Sequence, residues 1–330
     1  MSSKAKLGRL TSKLIRSIGD NIAPKSKGNG RLCILNFHRV LASADPFLES
    51  EPDTQTFRWQ MELLASCFNV MPLKDAIYML AKERMPPRAV CITFDDGYRS
   101  MHDHALPILK EFNLPATVFA TSGFLDGTNM WNDRIIEAIR HIPTDLLDLR
   151  DVGLGVHSLE TTEARKRVIH KLTDDAKYLP PDKRLDLTLQ LEALVGHRQT
   201  DSMMLTPEML LSLSQNNVDI GGHTITHPIL TSLTDKAARS EITGNKQHLE
   251  AIISKPVTLF AYPNGKAGMD FDERHVAMAK DAGFDAAFTT AYGAATSTHQ
   301  RYQIPRCRPW DSTPFFYAAR LLRWLAQGVA

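Results

Sequence analysis

Short apolar runs of strand length recur along the chain from residue 31, separated by stretches whose apolar residues fall at helical spacing. The runs cover 31–37, 89–94, 116–121, 218–221, 257–261, 286–290 and 302–305. Several are rich in β-branched or aromatic residues, the types that pack well on a pleated surface. Between them the periodicity predicts helices over 57–67, 73–83, 105–111, 236–253 and 272–281, with Asn113 and Gly283 placed as C-caps. Strand–helix alternation implies a parallel α/β sheet. Seven such strands point to a barrel, closed or open, in preference to a small open sheet.

Residues 125–205 break this rhythm. They carry Trp131, a charged helical run from Glu160 to Lys171 and a Pro180-Pro181 pair, with few strand signals. The segment reads as a mostly helical insertion between two barrel strands. At the N-terminus Leu7, Leu10, Leu14, Ile15 and Ile18 fall at helical spacing among lysines and arginines, and a polar linker follows at 25–30. At the other end the apolar run from Phe315 to Leu325 is broken by Arg320 and Arg323. The expected organisation is therefore an amphipathic helix and linker over 1–30, a barrel over 31–310 interrupted at 125–205, and a C-terminal helix over 311–330. Docking of both terminal helices on the domain is the primary expectation. Peripheral contact with an anionic membrane is the alternative, because both helices are basic and amphipathic.

Composition narrows the class. The chain has 330 residues, 43% hydrophobic and 23% charged, with a net charge of +2. That balance is globular and excludes a dedicated nucleic-acid binder. Lys4, Lys6 and Arg9 resemble the start of a signal peptide, but Lys13, Arg16 and Asp20 interrupt the apolar core such a peptide needs. No window reaches membrane-spanning length. With four cysteines in no CxxC spacing, Cys33 and Cys91 inside apolar runs, the expectation is a cytoplasmic protein, at most associated with the inner face of the membrane.

Four polar clusters share one placement, each directly after a predicted strand. They are Asn36-Phe37-His38-Arg39, Asp95-Asp96-Gly97, His223-Thr224-Ile225-Thr226-His227 and Tyr262-Pro263-Asn264-Gly265. Parallel barrels gather their catalytic groups at the C-terminal strand ends, so the clusters should converge. On a helical turn, His223 and His227 at i, i+4 would share a face. Two histidines and one carboxylate form a frequent catalytic metal site that leaves positions for water and substrate. Of the pair Asp95-Asp96, one carboxylate can serve the metal and the other remain as a base. Singly, each cluster is also compatible with an ordinary turn or surface helix; their order and shared placement make the functional reading the stronger one.

These residues resemble the polysaccharide deacetylases, the NodB-homology or carbohydrate esterase family 4 enzymes. Thr93-Phe94-Asp95-Asp96-Gly97 and His223-Thr224-Ile225-Thr226-His227 are similar to the family's first two motifs, and Phe260-Ala261-Tyr262-Pro263-Asn264-Gly265 to its third. Leu35-Asn36-Phe37-His38-Arg39-Val40 resembles the opening strand of many members, and Trp131-Asn132-Asp133-Arg134 resembles part of an insertion in members linked to exopolysaccharide synthesis. The resemblance implies a distorted (β/α)7 barrel that removes acetyl groups from N-acetylhexosamine units of a surface or exopolysaccharide glycan, or of its lipid-linked precursor. It implies Asp95 as general base, and Asp96, His223 and His227 as ligands of a divalent metal, most often Zn2+. The backbone N–H of Asn264 is implied as an oxyanion donor.

Two positions depart from the pattern. Ala261 stands where the family often has a base-orienting arginine, and Ile304-Pro305-Arg306 where it often has Leu-x-His with a general acid. An arginine stays charged and cannot shuttle a proton, though Arg306 can stabilise charge. His38 becomes the candidate acid, a structural strand-end histidine being the competing reading. Arg134 and Arg306 are the candidates to orient the base. Tyr262, Pro263 and Trp131 are candidates for sugar contact, a packing role being the alternative for Trp131. The expected partner is an N-acetylated glycan, with no nucleic acid and no oligomeric state legible. The runner-up functions are a related metal-dependent amidase or O-acetyl esterase on a non-polymeric substrate, and a non-catalytic glycan-binding barrel.

Overall fold

The computed structural model describes residues 9–22, 30–196, 201–309 and 311–327. Lys4, Lys6, Leu7 and the linker at 25–29 lie outside them. Each of the seven apolar runs overlaps a strand: β1 (Arg31–Phe37), β2 (Ala89–Phe94), β3 (Ala116–Ala120), β4 (Val218–Gly222), β5 (Leu259–Ala261), β6 (Ala286–Tyr292) and β7 (Ile304–Arg306). Each pairs in parallel with the next in the chain. The ring closes just beyond β7. There the Asn36 N–H donates to the Cys307 carbonyl at 2.8 Å, and the Cys307 N–H to that of Ile34 at 2.7 Å. On the same edge, the start of β1 pairs with a short antiparallel strand, Ala295–Thr296. The barrel is distorted because this last seam is split between two partners.

Alternation along the strands sorts side chains into two layers. Leu32, Ile34, Ala89, Cys91, Phe119, Ala261, Phe288 and Ile304 fill one core. Cys33, Leu35, Phe37, Val90, Ile92, Phe94 and Val118 belong to the other, with residues of the surrounding helices such as Phe57, Leu64, Leu109 and Leu210. Leu73, Ala76, Ile77 and Leu80 of the helix Leu73–Ala81 join the first core beside Leu32, Ala89 and Ala286, which are strand beginnings. One end of the barrel is thus plugged, and the end where the strands finish is left for polar groups.

Helices fall at Thr54–Cys67, Leu73–Ala81, Leu106–Glu111, Asp235–Ile253 and Glu273–Asp281, close to the periodicity. A π-helical turn, Met101–Ala105, precedes the third of these. Asn113 and Gly283 take positive φ, 52° and 79°, as C-cap residues do. The helix Arg9–Ile22 places Ile15 in the outer core and pairs Asp20 with Arg88 at 2.8 Å. The C-terminal helix Pro314–Gln327 buries Tyr317, Leu321, Leu322 and Leu325 in the same core. Among the described residues no helix is long and apolar enough to cross a membrane.

The chain forms two compact bodies. The barrel body comprises 1–43, 50–126 and 205–330, and the second comprises 44–49 with 127–204. The second is built on the helices Trp131–His141, Thr162–Lys177 and Pro181–Leu194, around Ile135, Ile139, Leu172, Leu187 and Leu191. Its structure differs from the sequence expectation in one element. Leu146–Leu149 and Gly155–Ser158 form an antiparallel hairpin, whose alternation buries Leu147 and Leu149 and exposes Leu146 and Asp148. The segment 44–49 joins it through Asp45, which takes two hydrogen bonds from Arg140 at 3.1 and 2.7 Å.

Candidate active site

The turn after β2 separates two adjacent carboxylates. Asp95 extends the ladder, its N–H donating to the Phe37 carbonyl at 2.9 Å. The next two residues are both left-handed, Asp96 at φ 72° and Gly97 at φ 88°. The Asp96 carbonyl is pinned by the Thr121 N–H at 3.1 Å and the Thr121 hydroxyl at 2.6 Å. A Cβ at position 97 would also press on that of Ala120 at 3.3 Å, which suits the site to glycine. The sharp turn gives Asp95 and Asp96 different partners although they are neighbours in sequence.

Asp95 faces Arg306, at the end of β7. The guanidinium donates to both carboxylate oxygens, Nη1 to Oδ1 at 2.6 Å and Nη2 to Oδ2 at 2.7 Å. Its Nε donates to the Thr289 carbonyl at 3.2 Å, and its Cζ lies 5.4 Å from the Phe119 ring centroid. Arg306 is fully buried, so the fork is held rigidly. Burial pushes the Asp95 carboxyl up, but the charge of Arg306, with His223 behind it, outweighs burial and holds it below the ordinary carboxylate range. Of the two candidate base-orienting arginines, Arg306 is therefore the one that meets Asp95. Arg134 instead forms a bidentate pair with Glu192 inside the second body, both bonds at 2.7 Å.

Asp96 faces the histidines. Its Oδ1 lies 3.4 Å from Nε2 of His223 and 3.4 Å from Nε2 of His227. One ligand atom from each of the three residues lies within 4.8 Å of the others, a spacing that suits a metal ion. The His223 Nδ1 donates to the Ala261 carbonyl at 2.7 Å, which orients the ring and turns Nε2 toward Asp96. Burial pushes the Asp96 carboxyl up, but the His223 hydrogen bond and the charge of His227 prevail and hold it far below the usual range. Burial lowers His223, yet the hydrogen bond to Asp96 and the charges of Asp95 and Asp96 raise it above the ordinary imidazole value. His227 is pulled down to about 4, chiefly by burial.

The i, i+4 spacing of these histidines does not reflect a helix. Residues 223–229 form a loop in which Thr224 and His227 are left-handed, at φ 66° and 55°. The long helix Asp235–Ile253 holds that loop through two side chains that sequence reasoning missed. Asn245, fully buried, accepts from the His223 N–H at 3.0 Å and donates to the carbonyls of Ala120 at 3.0 Å and Thr224 at 2.6 Å. Glu241 accepts from the N–H groups of Ile225 and Thr226 at 2.8 and 2.9 Å and from the Thr226 hydroxyl at 2.8 Å. Mid-helix polar residues usually face water, so nothing in the local pattern marks these two.

His38 follows β1 and is half-buried. Its Nδ1 lies 3.5 Å from Nη1 of Arg308, which is paired with Glu51 at 2.7 Å. It lies close enough to act electrostatically on Asp95, Asp96 and His227. Asn264 is left-handed at φ 59°, and its carbonyl accepts from the Thr290 hydroxyl at 2.6 Å. Among the described residues no acceptor takes its backbone N–H. Tyr262 and Pro263, expected to contact the sugar, are both buried. Tyr262 is wholly buried and stacked on Phe271 at 3.8 Å, and Pro263 is buried beside it. Trp131 packs against the core of the second body, with the Arg184 guanidinium 5.0 Å from its ring centroid.

A closed parallel barrel whose strand ends carry a buried Asp–Arg pair beside an Asp–His–His cluster defines a hydrolytic class of site. The chain belongs to the polysaccharide deacetylase family, whose model matches residues 82–287. It is similar to YxkH of Bacillus subtilis, itself named by that family, at 21% identity over 285 residues, covering 86% of this chain and 73% of the relative. It is also similar to the poly-β-1,6-N-acetyl-D-glucosamine N-deacetylase of Staphylococcus aureus, at 30% identity over 186 residues. That match covers 48% of this chain and 64% of the relative. Among solved structures, a Streptococcus pyogenes deacetylase, PplD, in complex with acetate superposes with a TM-score of 0.59 at 16% identity, covering 89% of this chain and 98% of that one. IcaB from Ammonifex degensii gives 0.56 at 17% identity, covering 90% and 97%. These likenesses show the same barrel fold.

Proposed function

We propose that the protein is a metal-dependent N-deacetylase of N-acetylhexosamine units in a surface or exopolysaccharide glycan or its lipid-linked precursor. The observation that carries this reading is the division of labour between adjacent carboxylates: Asp96 sits between two imidazole Nε2 atoms, while Asp95 is clamped apart by Arg306. Asp96, His223 and His227 offer a two-nitrogen, one-oxygen donor set that fits a divalent cation, zinc first among them. Such an ion supplies a Lewis acid for the acetyl carbonyl and makes water a stronger acid.

The remaining steps belong to this chain's own groups. Asp95, kept ionised by Arg306, takes the proton of the attacking water. The Asn264 N–H is the donor for the oxyanion that forms on the acetyl oxygen. His38 is the group to return a proton to the sugar nitrogen as the C–N bond breaks, releasing acetate and a free amine. The staphylococcal relatives are named for β-1,6-linked poly-N-acetylglucosamine, which makes that linkage the first to try. The buried thiols of Cys33, Cys67, Cys91 and Cys307 fit a reducing compartment, and a cytoplasmic location goes with this reading.

Acetate release from β-1,6-linked N-acetylglucosamine oligomers, with chelator and after zinc addition, tests the proposal. Release that needs metal and is lost in Asp95→Asn is the expected result. Metal binding without release from any N-acetylated sugar would overturn it in favour of an amidase or esterase on another substrate.

A further inference from the structure

We infer that the outward face of the N-terminal helix, with the exposed start of the C-terminal helix, is a docking surface for an anionic lipid bilayer. The helix Arg9–Ile22 turns Ile15 and Gly19 inward and leaves Leu14 and Ile18 59% and 43% exposed, one turn apart. Lys13 and Arg16 are exposed beside them. The one acidic residue of the helix, Asp20, is paired with Arg88. The C-terminal helix packs against it where Leu322 meets Gly19. That helix exposes Phe315 and Phe316, 62% each, and Arg323 is exposed on it as well.

Charge selects the occupant. Lys4, Lys6, Arg9, Lys13 and Arg16 precede the first acidic residue of the chain, Asp20, while the whole chain carries only +2. The rest of the chain is therefore net acidic, and the positive charge is concentrated at this end. A second copy docking through the same face would oppose like charges. A bilayer with anionic headgroups accepts both features, the apolar side chains at the headgroup boundary and the basic ones among the phosphates. The inference stands apart from the deacetylase reading, since none of these side chains belongs to the site.

Co-sedimentation of the full chain with vesicles of phosphatidylcholine alone, and of phosphatidylcholine mixed with phosphatidylglycerol, tests it. Binding to the mixed vesicles that weakens as salt rises is expected. Lys13→Glu should weaken binding by roughly fivefold or more, as loss of a basic side chain near the surface implies. The pair Leu14→Asp with Ile18→Asp should weaken it by about tenfold or more through lost apolar contact, with the circular dichroism spectrum unchanged. Absence of binding to the mixed vesicles, equal binding to both kinds, or unaltered binding of the variants overturns the inference. So does a dimer in light scattering that the Leu14/Ile18 pair dissociates.

Discussion

Arg306 holds Asp95 by two parallel hydrogen bonds of 2.6 and 2.7 Å, joining strand ends that are 211 residues apart in the chain. The pair runs from the end of β7 to the end of β2, past the seam that the Cys307 backbone makes with β1, and presets the proposed base. Replacing Arg306 by Met removes the strongest influence that lowers Asp95 and leaves burial, which raises it. The acid limb of kcat/KM should therefore move to higher pH, and kcat should fall while zinc stoichiometry is kept. Arg306→Lys should recover the charge but not the fork, restoring part of the pH profile and little of the rate. A pH–rate series on the three proteins checks this.

The same pair predicts an acid dependence of stability. Asp95 has a folded pKa below its ordinary value of 3.8, so its contribution is complete above that value and is lost as pH falls through the folded pKa. Unfolding midpoints of the metal-free protein should decline below the ordinary carboxylate range. In Arg306→Met the folded pKa is raised, so Asp95 ionisation destabilises and stability falls as pH rises through the carboxylate range. At neutral pH this variant should be less stable by about 3–5 kcal/mol, the usual cost of breaking a buried pair. Denaturant titrations at acid and neutral pH measure both slopes.

Asn245 carries the histidine loop through three hydrogen bonds of 2.6 to 3.0 Å. Asn245→Ala should lower metal affinity by roughly 10- to 100-fold, as loss of an outer support does. Asn245→Asp should do worse, because it can still accept from His223 but meets the carbonyls of Ala120 and Thr224 with no N–H to donate. Competition with a chromogenic zinc chelator gives the affinities. Wild-type affinity in both variants would show that the loop keeps its shape without Asn245.

The barrel was legible in the sequence because each strand carries its own apolar run between helical stretches, and because polar clusters follow four of those runs. What escaped detection depends on long-range contacts. His223 and His227 read as two positions on one helical face, yet they converge through left-handed residues at 224 and 227, in a loop held by tertiary hydrogen bonds that include those of Asn245 and Glu241. Tyr262 looked available as a rim aromatic, but Phe271 stacks on it nine residues later. The hairpin Leu146–Ser158 has the alternation of a half-buried strand, and its brevity inside a charged helical region masked it. Arg134 and Arg306 were both legible as partners for Asp95, and only the closed barrel decides for Arg306.

Proton competition should govern metal uptake in a direction set by His223. In the metal-free protein its hydrogen bond to Asp96 raises its pKa above the ordinary imidazole value, whereas His227 is held down at about 4. Below its raised pKa His223 carries a proton that a metal must displace, whereas near neutral pH His227 carries none. Zinc affinity should rise with pH by about one proton up to the raised pKa of His223, and flatten once His223 is neutral. Calorimetric titrations in two buffers of different ionisation enthalpy count that proton directly. Release of two protons would mean that both imidazoles are charged beforehand; release of none would mean that the Asp96–His223 contact does not hold a proton in the metal-free site.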